Sequence, residues 1–293
     1  MAGQIGLEES PEKYVARLVE VFREVRRVLK SNGTLWLNLG DSYSGSGKGG
    51  NPEEGEQSTN KGSQSVGTLY GKTGETAREA AVTNVSRRLC AAQGYKPKDL
   101  IGIPWRVAFA LQADGWWLRS DIIWAKPAPM PESVTDRPTR SHEYIFLLSK
   151  RGLYWYDADA IAEPCGGFNG STFTRGKTAE ARKGLAPIGQ CERVEPTERN
   201  KRDVWTVNSD PYPEAHFATF PPDLIRPCIL AGCPLGGVVL DPFVGSGTTL
   251  QVARQVGRIG LGIELNAEYI KLAEKRMDQN TFEFLCDEEG ISC

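Results

Sequence analysis

One stretch near the C-terminal end of the chain decides the fold, and it reads Val238-Val239-Leu240-Asp241-Pro242-Phe243-Val244-Gly245-Ser246-Gly247-Thr248-Thr249-Leu250. The three branched apolar residues that open it are typical of a buried parallel strand, and the apolar spacing after Thr248 predicts a helix. Gly245 and Gly247 lie between the two and allow a sharp turn and the close approach of a ligand, because neither has a Cβ atom. Free amides at the start of the helix carry partial positive charge, which suits a carboxylate or a phosphate.

A second strand at residues 259–263 follows this helix and ends at Glu264. An acidic side chain at the tip of the second strand of such a unit can accept hydrogen bonds from ribose hydroxyls. Loop, helix and acid together predict a site for a nucleoside cofactor. The dinucleotide pattern G-x-G-x-x-G does not fit, because Leu250 stands at its third glycine, and a Walker A loop does not fit, because no Lys follows Gly247.

The stretch resembles the first motif of the S-adenosylmethionine-dependent DNA amino-methyltransferases, D-P-F-x-G-S-G-T-T, and the match continues into residues 262–266 and 269–270. The order of segments is similar to the arrangement in which the catalytic half comes first and the cofactor half last, over roughly 10–160 and 203–278. The resemblance implies an α/β fold: a Rossmann-like, doubly wound methyltransferase sheet with helices on both faces and an irregular target-recognition insertion.

The function implied by the resemblance is site-specific transfer of a methyl group from S-adenosyl-L-methionine to the exocyclic amino group of cytosine or adenine. The partner is double-stranded DNA with one base flipped out. The setting would be a restriction-modification, phage or orphan enzyme, and a homodimer is a further expectation. The implied cofactor-binding residues are Phe220, Pro221, Asp241, Pro242, Phe243, Gly245, Ser246, Gly247, Thr248, Thr249, Glu264 and Asn266.

The composition is that of an ordinary soluble globular protein, with 293 residues, 40% hydrophobic and 25% charged. The sequence has neither a membrane-length apolar run nor an apolar N-terminal signal segment, which predicts a cytoplasmic location. Its seven cysteines form no C-x-x-C pair and predict free thiols in a reducing compartment. Cys228 and Cys233 lack a second ligand pair, so no metal site is predicted.

The chain is expected to divide into a catalytic half at 1–161, a target-recognition insertion at 162–203 and a cofactor half at 204–293. Residues 44–85 are rich in Gly, Ser, Thr, Lys and Glu and predict a long flexible loop within the first part. A net charge of −2 argues weakly against a nucleic-acid partner, so basic residues have to be clustered if the partner is DNA. The insertion supplies such a cluster, and its predicted DNA-binding residues are Arg175, Lys177, Arg182, Lys183, Arg199, Lys201 and Arg202.

The first part opens with a predicted helix at Ser10-Pro11, followed by a strand at 34–39 that ends close to Asp41, Ser42 and Tyr43. Ligand chemistry in open parallel sheets happens at such strand tips. Further predictions are a helix at 98–113, in which Pro104 marks a start or a kink, and strands at 121–124, 142–148 and 153–156.

One motif of the family, the catalytic tetrad (D/N/S)-P-P-(Y/F/W), is not found at the expected place, because residues 1–9 do not contain it. In the family the tetrad ends the strand before the helix that begins here at Ser10. Its polar side chain and first proline carbonyl accept the N–H bonds of the target amine, and its aromatic ring stacks on the base.

Two explanations stay open at this point. Either the chain starts too late to include the tetrad and is expected to be inactive alone, or Asp41 accepts from the amine and Tyr43 stacks on the base. The first is preferred, because the triplet 41–43 lacks the prolines and falls one strand too late. Two other functions are also open: a cofactor- and DNA-binding remnant or subunit without catalysis, and an RNA or small-molecule methyltransferase that would not need the basic insertion.

Overall fold

The computed structural model describes residues 5–44, 95–96, 98–129, 131–165, 198–208 and 220–277. The flexible loop predicted at 44–85 lies outside these ranges apart from Ser44, and so does the central part of the predicted insertion. The helices are α1 (Pro11–Val28), α2 (Ile103–Ala113), α3 (Pro222–Gly232), α4 (Thr248–Gln255) and α5 (residues 267–277). The strands are β1 (Thr34–Leu39), β2 (Trp117–Ala125), β3 (His142–Ser149), β4 (Glu163–Pro164), β5 (Glu198–Arg199), β6 (Val204–Thr206), β7 (Val238–Asp241) and β8 (Ile259–Gly262).

The larger sheet has the strand order β1-β3-β2-β6. Strand β3 runs antiparallel to both β1 and β2, and β6 runs parallel to β2. The carboxyl ends of β1, β2 and β6 therefore share one edge of the sheet with the start of β3. Strands β7 and β8 form a separate parallel pair with Asp241 opposite Gly262.

One face of the larger sheet packs against α1 and α2. The core there combines Phe22 of α1 and Leu111 of α2 with Leu37, Phe146 and Leu148 of β1 and β3. Each large apolar side chain that is fully buried contributes about 1.5–3 kcal/mol relative to the exposed state. The period-2 alternation along β3 places Ile145 on the opposite face.

The opposite face of the same sheet packs against α3. Its core joins Leu224 and Cys228 of α3 to Ile145, Trp124 and Trp205 of the sheet. Helices thus lie on both faces, and the predicted α/β architecture is confirmed.

The local signals at the start of α1 act as predicted. Ser10 is the N-cap, its hydroxyl accepts from the amide of Lys13, and Pro11 occupies the first helical position. Two other predictions are wrong at least in part. The helix predicted at 98–113 begins only at Ile103, next to the start or kink predicted at Pro104, because Lys98 has a φ of 72° and Gly102 one of 76°. Residues 153–156 form no strand, since this segment turns and Trp155 donates its amide to the carbonyl of Asn32.

The β7–β8 pair carries helices on one face. Val239 packs with Ile229 of α3 and Val252 of α4. On the other face, Val238 and Ile259 are each more than half exposed, so the prediction of a buried strand at 238–240 is wrong for this side. No helix within the described ranges is long and apolar enough to cross a membrane.

Candidate functional site

The loop between β7 and α4 is held by the side chain of Asp241. Its Oδ1 accepts from the amide of Phe243 at 2.9 Å, and its Oδ2 accepts from the hydroxyl of Thr249. The amide of Gly247 donates to the carbonyl of Val244 at 2.9 Å, which closes the turn. Because one carboxylate bridges the start of the loop and the first turn of α4, Asp241 fixes the loop's shape.

Two glycines give this loop a conformation that other residues rarely adopt. Gly245 has a φ of 51° and Gly247 one of 84°. Around an ideal Cβ on Gly245 the nearest described atom is the carbonyl oxygen of Phe243 at 4.0 Å, so the space in front of this residue is open. Gly247 is the N-cap of α4 and has no side-chain cap among the described residues. The amides of the first helical turn are therefore available to a bound group.

Glu264 closes the site from the end of β8. Its Oε2 accepts from the amide of Gly245 at 3.0 Å, and its Oε1 accepts from the amides of Leu265 and Asn266, both at 2.9 Å. A carboxylate has about four accepting positions, so these bonds leave capacity for a ligand hydroxyl. The side-chain oxygen of Asn266 accepts in turn from the amide of Glu268 at 3.0 Å and starts α5. Glu264 thus joins the glycine loop to the tip of β8 as well as facing the site.

Burial raises the pKa of the Tyr269 hydroxyl, and the charges of Glu264 and Glu268 raise it further. Tyr269 therefore stays neutral beside the acid. Phe243 connects the loop to the other half of the fold, since its ring meets that of Phe22 on α1 edge-on with centroids 6.3 Å apart. Phe243 is 48% exposed, which leaves much of its surface to a ligand.

Phe220 and Pro221, also predicted to bind the cofactor, lie at the start of α3. Phe220 packs at the border of the core between α3 and the larger sheet, and Pro221 is the N-cap of α3. Phe220 contacts that core, the carbonyl of Pro221 accepts from the amide of Leu224, and the cofactor role of both remains a prediction.

Asp41, Ser42 and Tyr43 follow β1 at the carboxyl edge of the larger sheet. The carboxylate of Asp41 is 4% exposed, and its Oδ1 accepts from the amides of Ser42, Gly102 and Ile103, each at 2.9 Å. These bonds cap α2 from outside the helix. The ring of Tyr43 stacks under the guanidinium of Arg137 at 4.1 Å, and its backbone forms a bridge with Leu100.

Three of the predicted DNA-binding residues fall in the described ranges. Arg199 and Arg202 both donate to Oε1 of Glu163, at 3.0 and 2.6 Å, and Lys201 lies 5.2 Å from the ring of Trp205. Desolvation acts to raise the pKa of Glu163, but hydrogen bonds and charge from the two arginines outweigh it, so this pKa is lowered. The other four predicted residues, Arg175, Lys177, Arg182 and Lys183, lie outside the described ranges.

A polar cluster at the carboxyl edge of the larger sheet was not predicted from the sequence. The ammonium of Lys126 pairs with Glu143 and lies 4.2 Å from the ring of Trp124, and Asn38 donates to the same carboxylate at 3.2 Å. Asn38 and Glu143 are 105 positions apart, so no local motif could have joined them. Within the described ranges, no three His, Cys, Asp or Glu side chains gather as a metal site would require.

A parallel strand, a glycine turn, an open helix N-terminus and an acid on the next strand define an α/β domain of the nucleoside-cofactor class. The model of the N6_N4_Mtase family, described as DNA methylase, matches residues 2–275. The chain therefore belongs to this family of DNA methylases.

The relatives agree with this assignment. The type II methyltransferase M.SmaI of Serratia marcescens is 46% identical over 275 residues, which cover 94% of this chain and 77% of that protein. Among solved structures, the PvuII DNA methyltransferase (cytosine-N4-specific) has a TM-score of 0.57 at 16% identity, covering 94% of this chain and 74% of the other. A protein of Thermus thermophilus solved with S-adenosyl-L-methionine has a TM-score of 0.52 at 21% identity, covering 95% and 82%. At these identities the two structures support the fold alone.

Proposed function

We propose that this chain is a site-specific DNA methyltransferase that transfers a methyl group from S-adenosylmethionine to an exocyclic amino group of cytosine or adenine. The observation that carries the proposal is the constellation of Asp241, the glycine loop, the open start of α4 and Glu264 within a chain of the DNA methylase family. A cofactor of this kind, when bound, supplies an electrophilic methyl group on a sulfonium.

The site's residues match the polar groups of this cofactor. The amides at the start of α4 suit its carboxylate, since the helix end carries partial positive charge and has no side-chain cap among the described residues. The remaining accepting capacity of Glu264 suits a ribose hydroxyl. The open space before Gly245 lets a ligand reach the backbone. Residues 241–249 and Glu264 therefore bind and orient the cofactor in this proposal.

For the catalytic side, we favour a positioning role for Asp41. Its Oδ1 already accepts three amide hydrogen bonds, and its Oδ2 lies 3.9 Å from Nη2 of Arg140. A carboxylate held in this way fixes the position of the start of α2 relative to the end of β1. Direct contact of Asp41 with the target amine and stacking of Tyr43 on the base stay predictions.

The partner is proposed to be double-stranded DNA with one base flipped out, because an enzyme cannot reach the target amine while the base is stacked inside the duplex. The basic residues of 162–203 are proposed to contact phosphates, with 1–161 and 204–293 as the catalytic and cofactor halves. A homodimer and action in the cytoplasm, where the DNA substrate would be, belong to the same proposal.

The proposal is tested by incubating the chain with tritiated S-adenosylmethionine and, separately, mixed-sequence DNA, total RNA and small amines. Incorporation into DNA alone is the expected result, and it would refute the prediction that the chain is inactive without the tetrad. Incorporation into RNA or small amines without DNA would contradict it. Cofactor binding by calorimetry without any incorporation would support the non-catalytic alternative instead. The matched control is a Glu264→Ala variant, which should bind and transfer less if the assay reports on this site.

A further inference from the structure

Arg276 lies on α5, outside the residues that the sequence pattern assigns to the cofactor site. Its Nη1 donates to the hydroxyl of Thr248 at 2.9 Å and to that of Ser246 at 3.4 Å. Thr248 is the first residue of α4 and is 4% exposed. One guanidinium therefore reaches across from the next helix to both sides of Gly247, where the glycine loop becomes α4.

The close packing of α5 against the loop accounts for this reach. Ala273 lies three positions before Arg276, so the two side chains share a face of α5. An ideal Cβ on Gly247 would lie only 2.9 Å from the Cβ of Ala273 and 3.2 Å from its Cα. The absence of a side chain at 247 thus brings α5 close to the loop. This approach places the guanidinium of Arg276 beside the first turn of α4.

The charge that Arg276 brings has the same sign as the helix end beside it. The first turn of α4 contains no acidic residue of its own, although the carboxylate of Asp241 accepts from Thr249 there, and the basic Arg254 is in the last turn. Helix dipole and guanidinium therefore both favour a negative group at the start of α4. The described contacts of Arg276 with Ser246 and Thr248 are made to the two hydroxyls on either side of Gly247.

We propose that Arg276 is a positioning residue for the carboxylate end of the cofactor. It holds the hydroxyls of Ser246 and Thr248, and it thereby fixes the direction of the loop amides that face the carboxylate. The inference rests on the proposed function, because it takes S-adenosylmethionine as the ligand of this loop. It extends the site to a helix that the motif residues 241–249 and 264 do not include.

The test compares two ligands by isothermal titration calorimetry. S-adenosylmethionine carries the carboxylate, whereas 5′-methylthioadenosine keeps the adenosine and the sulfur but lacks the carboxylate, the ammonium group and the sulfonium charge. Because removing a cation at 276 would not weaken the binding of the ammonium or sulfonium cations, a weaker affinity reports on the carboxylate. For Arg276→Met we expect about a tenfold weaker affinity for S-adenosylmethionine, since a charge-assisted contribution is lost. For 5′-methylthioadenosine we expect less than about a twofold change. Arg276→Lys keeps the charge without the planar fork and should lie between the Met variant and the unchanged protein for S-adenosylmethionine.

The matched control is Lys275→Met, which removes one positive charge from an exposed neighbouring position on the same helix. It should leave both affinities unchanged within about twofold. Thermal unfolding without ligand checks that each variant is folded, and Arg276→Lys carries the test if the Met variant is not.

Three outcomes would overturn the inference in distinguishable ways. An equal loss for both ligands would mean that Arg276 only maintains the general structure of the site. No loss for either ligand would mean that it does not act on the cofactor. Failure of the unchanged protein to bind S-adenosylmethionine would refute the proposed cofactor itself, and the inference would fall with it.

Discussion

Replacing Gly247 by Ala tests the packing on which the cofactor site depends. Gly247 has a φ of 84°, and an alanine in this left-handed region costs about 1–2 kcal/mol. The new Cβ would lie 2.9 Å from the Cβ of Ala273, and overpacking of this kind costs about 1–3 kcal/mol. Reduced freedom of the unfolded chain returns about 0.4–1 kcal/mol. The free energy of unfolding should therefore fall by about 3 kcal/mol.

Gly236→Ala is the matched control for this substitution. Gly236 also has a positive φ, of 70°, but no described atom lies within 4 Å of an ideal Cβ there. This variant bears the backbone cost alone and should lose about 1 kcal/mol. Equilibrium urea unfolding, with identical slopes for the compared variants, gives the difference directly.

A double-mutant cycle isolates the contact itself. Ala273→Gly removes the facing Cβ, so the loss caused by Gly247→Ala should be smaller in that background by about 1 kcal/mol. Calorimetry should show weaker S-adenosylmethionine binding for Gly247→Ala and near-normal binding for Gly236→Ala. Equal losses of stability for the two glycine variants, with no coupling to Ala273→Gly, would refute the close approach of α5 to the loop.

Other contacts of the described residues support three more predictions. Glu264→Gln replaces one of the two carboxylate oxygens that accept from the amides of 245, 265 and 266, so calorimetry should show an affinity for S-adenosylmethionine that is about tenfold weaker. The control Glu268→Gln changes an exposed residue and should leave this affinity unchanged. Equal affinities of the two variants would contradict the role of Glu264. Asp41→Ala should lower the free energy of unfolding, measured by urea denaturation, by about 2–4 kcal/mol. Asp41→Asn keeps an oxygen for the same amides and should lower it by only about 1 kcal/mol. Full stability of the Ala variant would exclude the capping role. Burial strongly raises the pKa of the Cys228 thiol, so iodoacetamide at pH 8 should label the partly exposed Cys165 much faster than Cys228. Peptide mass spectrometry measures the two labelling rates. Rapid labelling of Cys228 in the folded protein would contradict its burial.

The cofactor motif could be predicted from the sequence because its signals are local. The turn at Gly245 and Gly247, the start of α4 at Thr248 and the acid after β8 all depend on residues close together in the chain. The start of α1 at Ser10-Pro11 was predictable for the same reason. In each case the side chain acts on backbone groups within a few positions.

What could not be predicted depends on contacts between distant segments. Asp41 looks like a free polar residue at a strand tip, but its carboxylate caps a helix that begins 62 positions later. Arg276 is one of several charged residues in a short stretch, and only the packing of Ala273 against Gly247 brings it to the loop. The irregular path of 153–156 was also missed, because local propensity was overridden by tertiary hydrogen bonds such as that from Trp155 to Asn32.

The central claim is that this chain methylates an exocyclic amine of a DNA base. The most direct measurement is mass spectrometry of nucleosides released from DNA after incubation with the chain and S-adenosylmethionine carrying a deuterated methyl group. The account predicts a labelled N4-methylcytosine or N6-methyladenine in the DNA. A label on cytosine C5, or no labelled nucleoside although the cofactor is bound, would contradict it.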